Sequence, residues 1–280
     1  MRLRAFARDY LEYSRATKAL KTCQADASAL KDFTRVVGNL EVKAIRREHF
    51  EQFRLVRLQQ IKPTSVNIAL RHLRAAFSWA ADRGYVSINP ATRVKLNRVP
   101  HDLHPRFLSA SEIERLRGAA QQDAPLLNAI NVALWTGMRR NELVNLRWAD
   151  VDLNRRVITV QCYGNYRTKS GKSRMIPLND ALHALLTGIL PENVSREDHV
   201  ISLRYGTLAR RFRQAVKRAG LDGGVSLHVL RHTFASHLAM AGVDLRSIQA
   251  ILGHSDISIT MIYSHLSPEH LARTVERLPY

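Results

Sequence analysis

The sequence predicts a mainly α-helical protein with one small β-sheet, divided into two domains. Three observations carry that reading. Apolar residues recur at helical spacing through most of the chain, most regularly over 63–83, where Val66, Leu70, Leu73, Phe77 and Ala80 share one face. Only two short runs, 157–162 (VITVQC) and 172–178 (KSRMIPL), have strand character. The 280 residues leave room for two cores, and Asn89-Pro90, followed by a basic stretch, interrupts the helical pattern.

The N-terminal domain, 1–90, holds four predicted helices at 3–14, 18–37, 46–60 and 63–83. Pro63 suits a first helical turn and Gly84 a stop, although Lys62 stands where a capping Ser or Thr is common. Residues 91–107 read as a linker carrying Arg93, Lys95, Arg98, His101, His104 and Arg106. Such a segment either lies along a polyanion or is a solvated connector. The second domain, 108–280, opens on a capping box, Ser109-Ala-Ser-Glu112. Helices are predicted at 111–120, 125–136 and 139–147, with Gly137 between the last two. The two strands follow, then helices at 180–190, 205–219, 228–241, 244–252, 256–263 and 268–277, with Gly220, Gly242 and Gly253 as breaks.

Charge narrows the function. The formal net charge is +19, from 43 Lys+Arg against 24 Asp+Glu. Basic residues outnumber acidic ones 19 to 8 through residue 97 and 24 to 16 after it, so both halves are basic and neither excess is a tail. That distribution fits two surfaces meeting one nucleic acid. The two cysteines, Cys23 and Cys162, have no zinc-type spacing and fit a reducing compartment. The N-terminus shows no signal-peptide pattern, and no apolar run is long enough to span a bilayer. No membrane association is expected.

The residues with chemistry cluster late in the chain. His228 and Arg231 lie in HVLRH (228–232), His254 in ILGHSD (251–256) and Tyr263 in ITMIYSH (259–265). Arg139 lies upstream in TGMRRNEL (136–143), and a lysine-bearing segment, TKSGKSRMIPL, spans 168–178. Guanidinium forks fit phosphate oxygens. Imidazoles donate to an oxyanion or move a proton near neutral pH. A phenol relieved of its proton is a nucleophile. This is a set for attacking a phosphodiester. His228 and His232 are four apart, but no Glu or third ligand joins them at metal spacing, so no metal is expected. His232 and His237 read as packing or capping residues, and Arg140 as a surface residue or ion pair. Tyr163 and Tyr166 read as packing or DNA-contacting. Glu142, three residues after Arg139, shares its helix face and reads as structural support. No phosphate loop of the GxxxxGK[ST] type and no acidic pair for two metals is present, so no cofactor is expected.

In order and local context these positions resemble the tyrosine recombinase, or phage integrase, family, whose pattern is Arg, Lys, His-x-x-Arg, His, Tyr. Here it reads Arg139, Lys169, His228-x-x-Arg231, His254, Tyr263, with LGH and IYSH as flanks. The resemblance runs from about residue 3 to the end. It implies a SAM-like N-terminal core-binding domain of four helices and a C-terminal tyrosine recombinase catalytic domain, closing on double-stranded DNA as a C-shaped clamp. It implies that Arg139 and Arg231 hold the scissile phosphate. His228 either assists removal of the tyrosine proton or donates to a phosphate oxygen, and His254 donates a hydrogen bond. Clustered arginines and histidines would favour the Tyr263 phenolate. Tyr263 would form a 3′-phosphotyrosine while Lys169, rather than Lys172, protonates the leaving 5′ oxygen. The chain starts almost directly with the core-binding helices, as the smaller, simple-site (Xer-like) members do. A tetramer on synapsed DNA sites, accessory DNA-bending proteins and a prokaryotic, cytoplasmic location are implied too. The tail, 266–280, packs on its own domain or docks on a neighbouring protomer. A type IB topoisomerase, which rejoins the same strand, and a non-catalytic DNA-binding protein are the alternatives.

Overall fold

The computed structural model describes residues 1–99, 105–163, 173–222 and 224–266. The chain forms two compact units, Met1–His101 and Asp102–Tyr280. Among the described residues no helix is long and apolar enough to cross a membrane.

The first unit is built from α1 (Leu3–Thr17), α2 (Leu20–Val37), α3 (Arg47–Leu58) and α4 (Pro63–Asp82). Each puts its apolar stripe into one core, where Phe6, Phe33, Phe50, Phe53 and Phe77 are fully buried. Phe33 stacks on Phe50 at 4.7 Å between ring centroids, and Phe77 meets Phe50 edge-on at 5.0 Å. Truncating one such ring costs ~3–5 kcal/mol. α4 starts at Pro63 although Lys62 supplies no side-chain cap, because Pro presets the first helical φ and needs no N–H partner there. Asp26 of α2 is buried and ties three elements together. It accepts hydrogen bonds from Ser14 (2.8 Å) and Tyr10 (3.3 Å) of α1 and from Lys18 (3.0 Å), and lies 2.6 Å from His72 Nδ1 of α4. Burial pushes its pKa up, but hydrogen bonds from His72, Lys18 and Ser14 outweigh it and hold the carboxylate ionised.

The expected linker, 91–107, is largely docked. Ala91 and Val94 are buried in the first core, Arg74 donates to both their carbonyls, and Asn67 and Asn97 exchange hydrogen bonds of 2.8–2.9 Å. At the other end Arg106 pairs with Glu112, and the Leu108 N–H donates to Thr233 at 2.9 Å. Residues 100–104 lie outside the described residues.

The second unit begins with α5 (Ala110–Ala120), opened by the Ser109–Glu112 capping box. Then come α6 (Ala124–Thr136) and a short α7 (Arg140–Asn145). The sheet is three-stranded and antiparallel in the order β1 (Val151–Asp152), β2 (Val157–Val160), β3 (Arg174–Pro177), with Ile158 facing Ile176. Then come α8 (Asp180–Ile189), α9 (Tyr205–Arg218), α10 (Leu227–Met240) and α11 (Leu245–Leu252), of which α11 packs against β3. α10 is the central element: it packs on α6 and α11, and its C-terminal half forms a small core with Ile248, Leu252 and Tyr263. The continuous helix expected over 256–263 is instead two 3₁₀ turns, Ile257–Ile259 and Met261–Leu266. The Asp256 side chain accepts from Ser258 N–H, and Thr260 N–H closes the tight turn on Ile257. The helix expected at 268–277 lies outside the described residues.

Candidate active site

The site is assembled on the last turn of α11. The terminal carbonyls of a helix have no partner within it. Here three arginines from three other elements supply one. Arg174 of β3 donates through Nε to Ile251 O at 2.7 Å. Arg231 of α10 donates to Leu252 O at 2.8 Å, and Arg139, at the N-terminus of α7, donates to Gly253 O at 3.3 Å. Cations also suit the negative end of the helix dipole.

Each arginine has a second anchor. Arg231 is buried and donates to Gly137 O at 2.8 Å. Gly137 ends α6 at φ +61°, and a Cβ there would lie 2.5 Å from the Phe234 ring. Arg139 and Arg174 converge on Glu142, at 2.9 Å and 2.6 Å, and Glu142 also accepts the Arg139 backbone N–H at 2.9 Å. Burial pushes the Glu142 carboxyl up, but Arg174 and then Arg139 pull it below its ordinary value, so it stays ionised. Glu142 thus bridges Arg139 and Arg174. Arg174 joins the cluster from β3, a position that the sequence alone does not single out. Gly253, at φ +66°, has no Cβ because one would lie 2.7 Å from Arg174 Cδ.

His254 follows directly, half-buried, with Nδ1 2.8 Å from Thr260 Oγ1. Burial, then the charges of Arg231, Arg139 and Arg174, push its pKa down to about 4, so its ring is neutral at pH 7. Burial, then Arg139, also lowers Arg231 to about 9, which leaves it a cation.

His228 lies exposed on the first turn of α10. Its ring meets that of His232, one turn on, edge-to-face at 4.7 Å. His232 does not merely pack: its Nδ1 lies 2.7 Å from Tyr263 Oη. Burial, then His228 and Arg231, push His232 down to about 4. Tyr263 is 1 % exposed, and burial pushes its phenol up to about 12, with Arg231 only partly offsetting it. The expected preference for phenolate is therefore reversed, because desolvation exceeds the pull of Arg231.

Arg139, His228, Arg231, His254 and Tyr263 come together; Lys169 and Lys172 lie outside the described residues, as does Tyr166. Tyr163 donates to Asp150 and lies under the Arg147 guanidinium at 4.6 Å. His237 sits 2.9 Å from Leu108 O, and Arg140 lies over the Tyr205 ring at 3.8 Å. These three are structural contacts.

Residues 106–270 match the sequence profile of the phage integrase family. The tyrosine recombinase XerC of Xanthomonas campestris pv. campestris (strain B100) is 31% identical over 281 residues, covering 95% of this chain and 85% of that protein. A tyrosine recombinase of Thermosipho africanus (strain TCF52B) is 27% identical, covering 96% and 97%. Among solved structures, the Tn1549 transposon integrase in complex with transposon right end DNA superposes with a TM-score of 0.80 at 22% identity, over 100% of both chains. A lambda integrase dimer bound to a core site gives 0.78 at 21%, over 92% of this chain and 97% of that one.

Proposed function

This chain belongs to the phage integrase family, from which we infer that it is a tyrosine-type site-specific DNA recombinase, cutting and rejoining DNA strands. The observation that supports the residue roles best is the convergence of Arg139, Arg231 and His254 on the end of α11, beside Tyr263. Arg139 and Arg231 take the two non-bridging oxygens of the scissile phosphate and offset the charge that grows on them in the transition state. Neutral His254 is a hydrogen-bond donor to the same group, and exposed His228 is poised at its edge. Tyr263 Oη gives up its proton, to His228 or to solvent, and attacks phosphorus; the bond to the 5′ oxygen breaks, and a 3′-phosphotyrosine forms. Lys169 delivers a proton to the leaving 5′ oxygen. A 5′-hydroxyl from another strand reverses these steps and joins the new partner. The substrate is double-stranded DNA, the working assembly a tetramer on two paired sites, and the compartment the cytoplasm of a prokaryote.

Tyr263→Phe removes one oxygen and little packing. Covalent protein–DNA adducts trapped on plasmid or genomic DNA should disappear in this variant, while DNA affinity stays nearly unchanged. Adducts at the wild-type yield would remove Tyr263 from the role.

A further inference from the structure

His228 and His232 are one helical turn apart on the same face of α10, about 5–6 Å along the axis. His228 is exposed, and His232 is half-buried. The Tyr263 phenol is matched to the deeper of the two, with Oη 2.7 Å from His232 Nδ1, and its ring lies in an apolar cluster of Ala235, Ala239, Ile248 and Leu252. The segment that carries it is slight. Met261–Leu266 is one short 3₁₀ run with Met261 half exposed, and among the described residues the Tyr263 N–H donates to the nearby Thr260 carbonyl. We propose that His232 is the positioning residue that holds the nucleophile at rest: it accepts the Tyr263 phenol and keeps it one turn below His228, so that exchanging this bond for the phosphate site is a step before cleavage. This rests on Tyr263 being the nucleophile.

The protonation states favour a hold over an activation. His232 is pushed to about 4 and Tyr263 to about 12, so the pair is a neutral hydrogen bond between a protonated phenol and an imidazole. Moving the proton in this pose runs against roughly eight powers of ten. Leaving the buried phenol without an acceptor would weaken the resting position by the worth of one buried hydrogen bond, about fivefold or more in the population released.

The full chain without DNA is treated with N-acetylimidazole, and acetylation of Tyr263 is followed by peptide mass spectrometry. His232→Leu removes the acceptor. His232→Gln places its amide near the Nε2 position, out of reach of the phenol. His232→Asn keeps an oxygen near the Nδ1 position. Acetylation of Tyr263 should be about fivefold or more faster than wild type in the Leu and Gln variants and close to wild type in the Asn variant. Equal rates in all four chains would overturn the proposal. If His232→Leu melts early, the Gln and Asn variants, alike in polarity, decide the question. On a cleavage site mapped with the wild-type chain, His232→Gln should form covalent adduct at least as fast as wild type. A drop of tenfold or more at unchanged DNA affinity would make the imidazole a proton acceptor in the chemistry and overturn the resting hold. Adduct persisting in Tyr263→Phe would sink the nucleophile assignment instead, and would leave the acetylation result standing.

Discussion

At Tyr263, burial and charge pull the phenol in opposite directions, and burial wins. The same desolvation acts on the imidazoles around it and gives a pH signature. His232 and His254 are held near 4, against 6.5 when free. Between those values the unfolded chain takes up protons that the folded chain refuses, so stability falls as pH drops from 6.5 towards 4 and is fully present above 6.5. The melting temperature of the second unit should decline across that window, and His254→Asn should flatten the decline. An unchanged slope in that variant would show that His254 is not held neutral. The identities of Arg139, Arg231, His254 and Tyr263 were legible in the sequence because each sits in a distinctive local motif. The contact of His232 was not. Spacing of four residues places two histidines on one helix face, but it does not say which lies at the depth of a phenol brought from another segment. Arg174 was hidden for a related reason: a strand arginine has no local signal that its acceptor is a helix end 77 residues away.

Helix boundaries were readable to within a few residues wherever a cap or a glycine marked them, as at Ser109, Gly137 and Gly253. Three features escaped. β1 is two residues long, too short to show alternation. Ile257, Met261 and Ile262 fit helical spacing, yet a run this short does not separate 3₁₀ from α. The stretch after Pro90 looked like a linker from its charge, whereas Ala91 and Val94 bury themselves in the first core. The junction of α6, α10 and α11 is where element packing bears on chemistry. The Gly137 carbonyl holds Arg231, and its Cα faces Phe234 and Leu252 with no room for a methyl group. Gly137→Ala adds strain at positive φ and a clash at 2.5 Å. A loss of ~2–3 kcal/mol in stability is expected. Adduct formation should fall further than DNA affinity, since the arginine is displaced while the remaining basic surface stays. Chemical denaturation and gel-shift titration of the variant test both parts; full cleavage activity would show that Arg231 does not depend on this carbonyl.

Across the whole molecule, the excess of 19 positive charges is shared by both units. Binding to DNA should therefore release many counterions and weaken steeply with salt. Each unit has its own core, so fragments 1–99 and 105–280 are reasonable pieces to compare with the full chain. The plot of log affinity against log salt should be steeper for the full chain than for either fragment. Equal slopes for the full chain and 105–280 would mean that the first unit makes no backbone contact. The arginine cluster at the end of α11 has a further, practical consequence. Among the described residues, Arg139, Arg174 and Arg231 face one carboxylate, Glu142, and otherwise neutral carbonyls. That leaves a formal surplus of two positive charges in a poorly hydrated corner, which makes it a sink for small oxyanions. Phosphate or sulfate in the buffer should raise the melting temperature of the second unit and compete with DNA, whereas chloride at equal ionic strength should do less. Cleavage rates measured in phosphate would then understate what the enzyme does in a buffer without oxyanions.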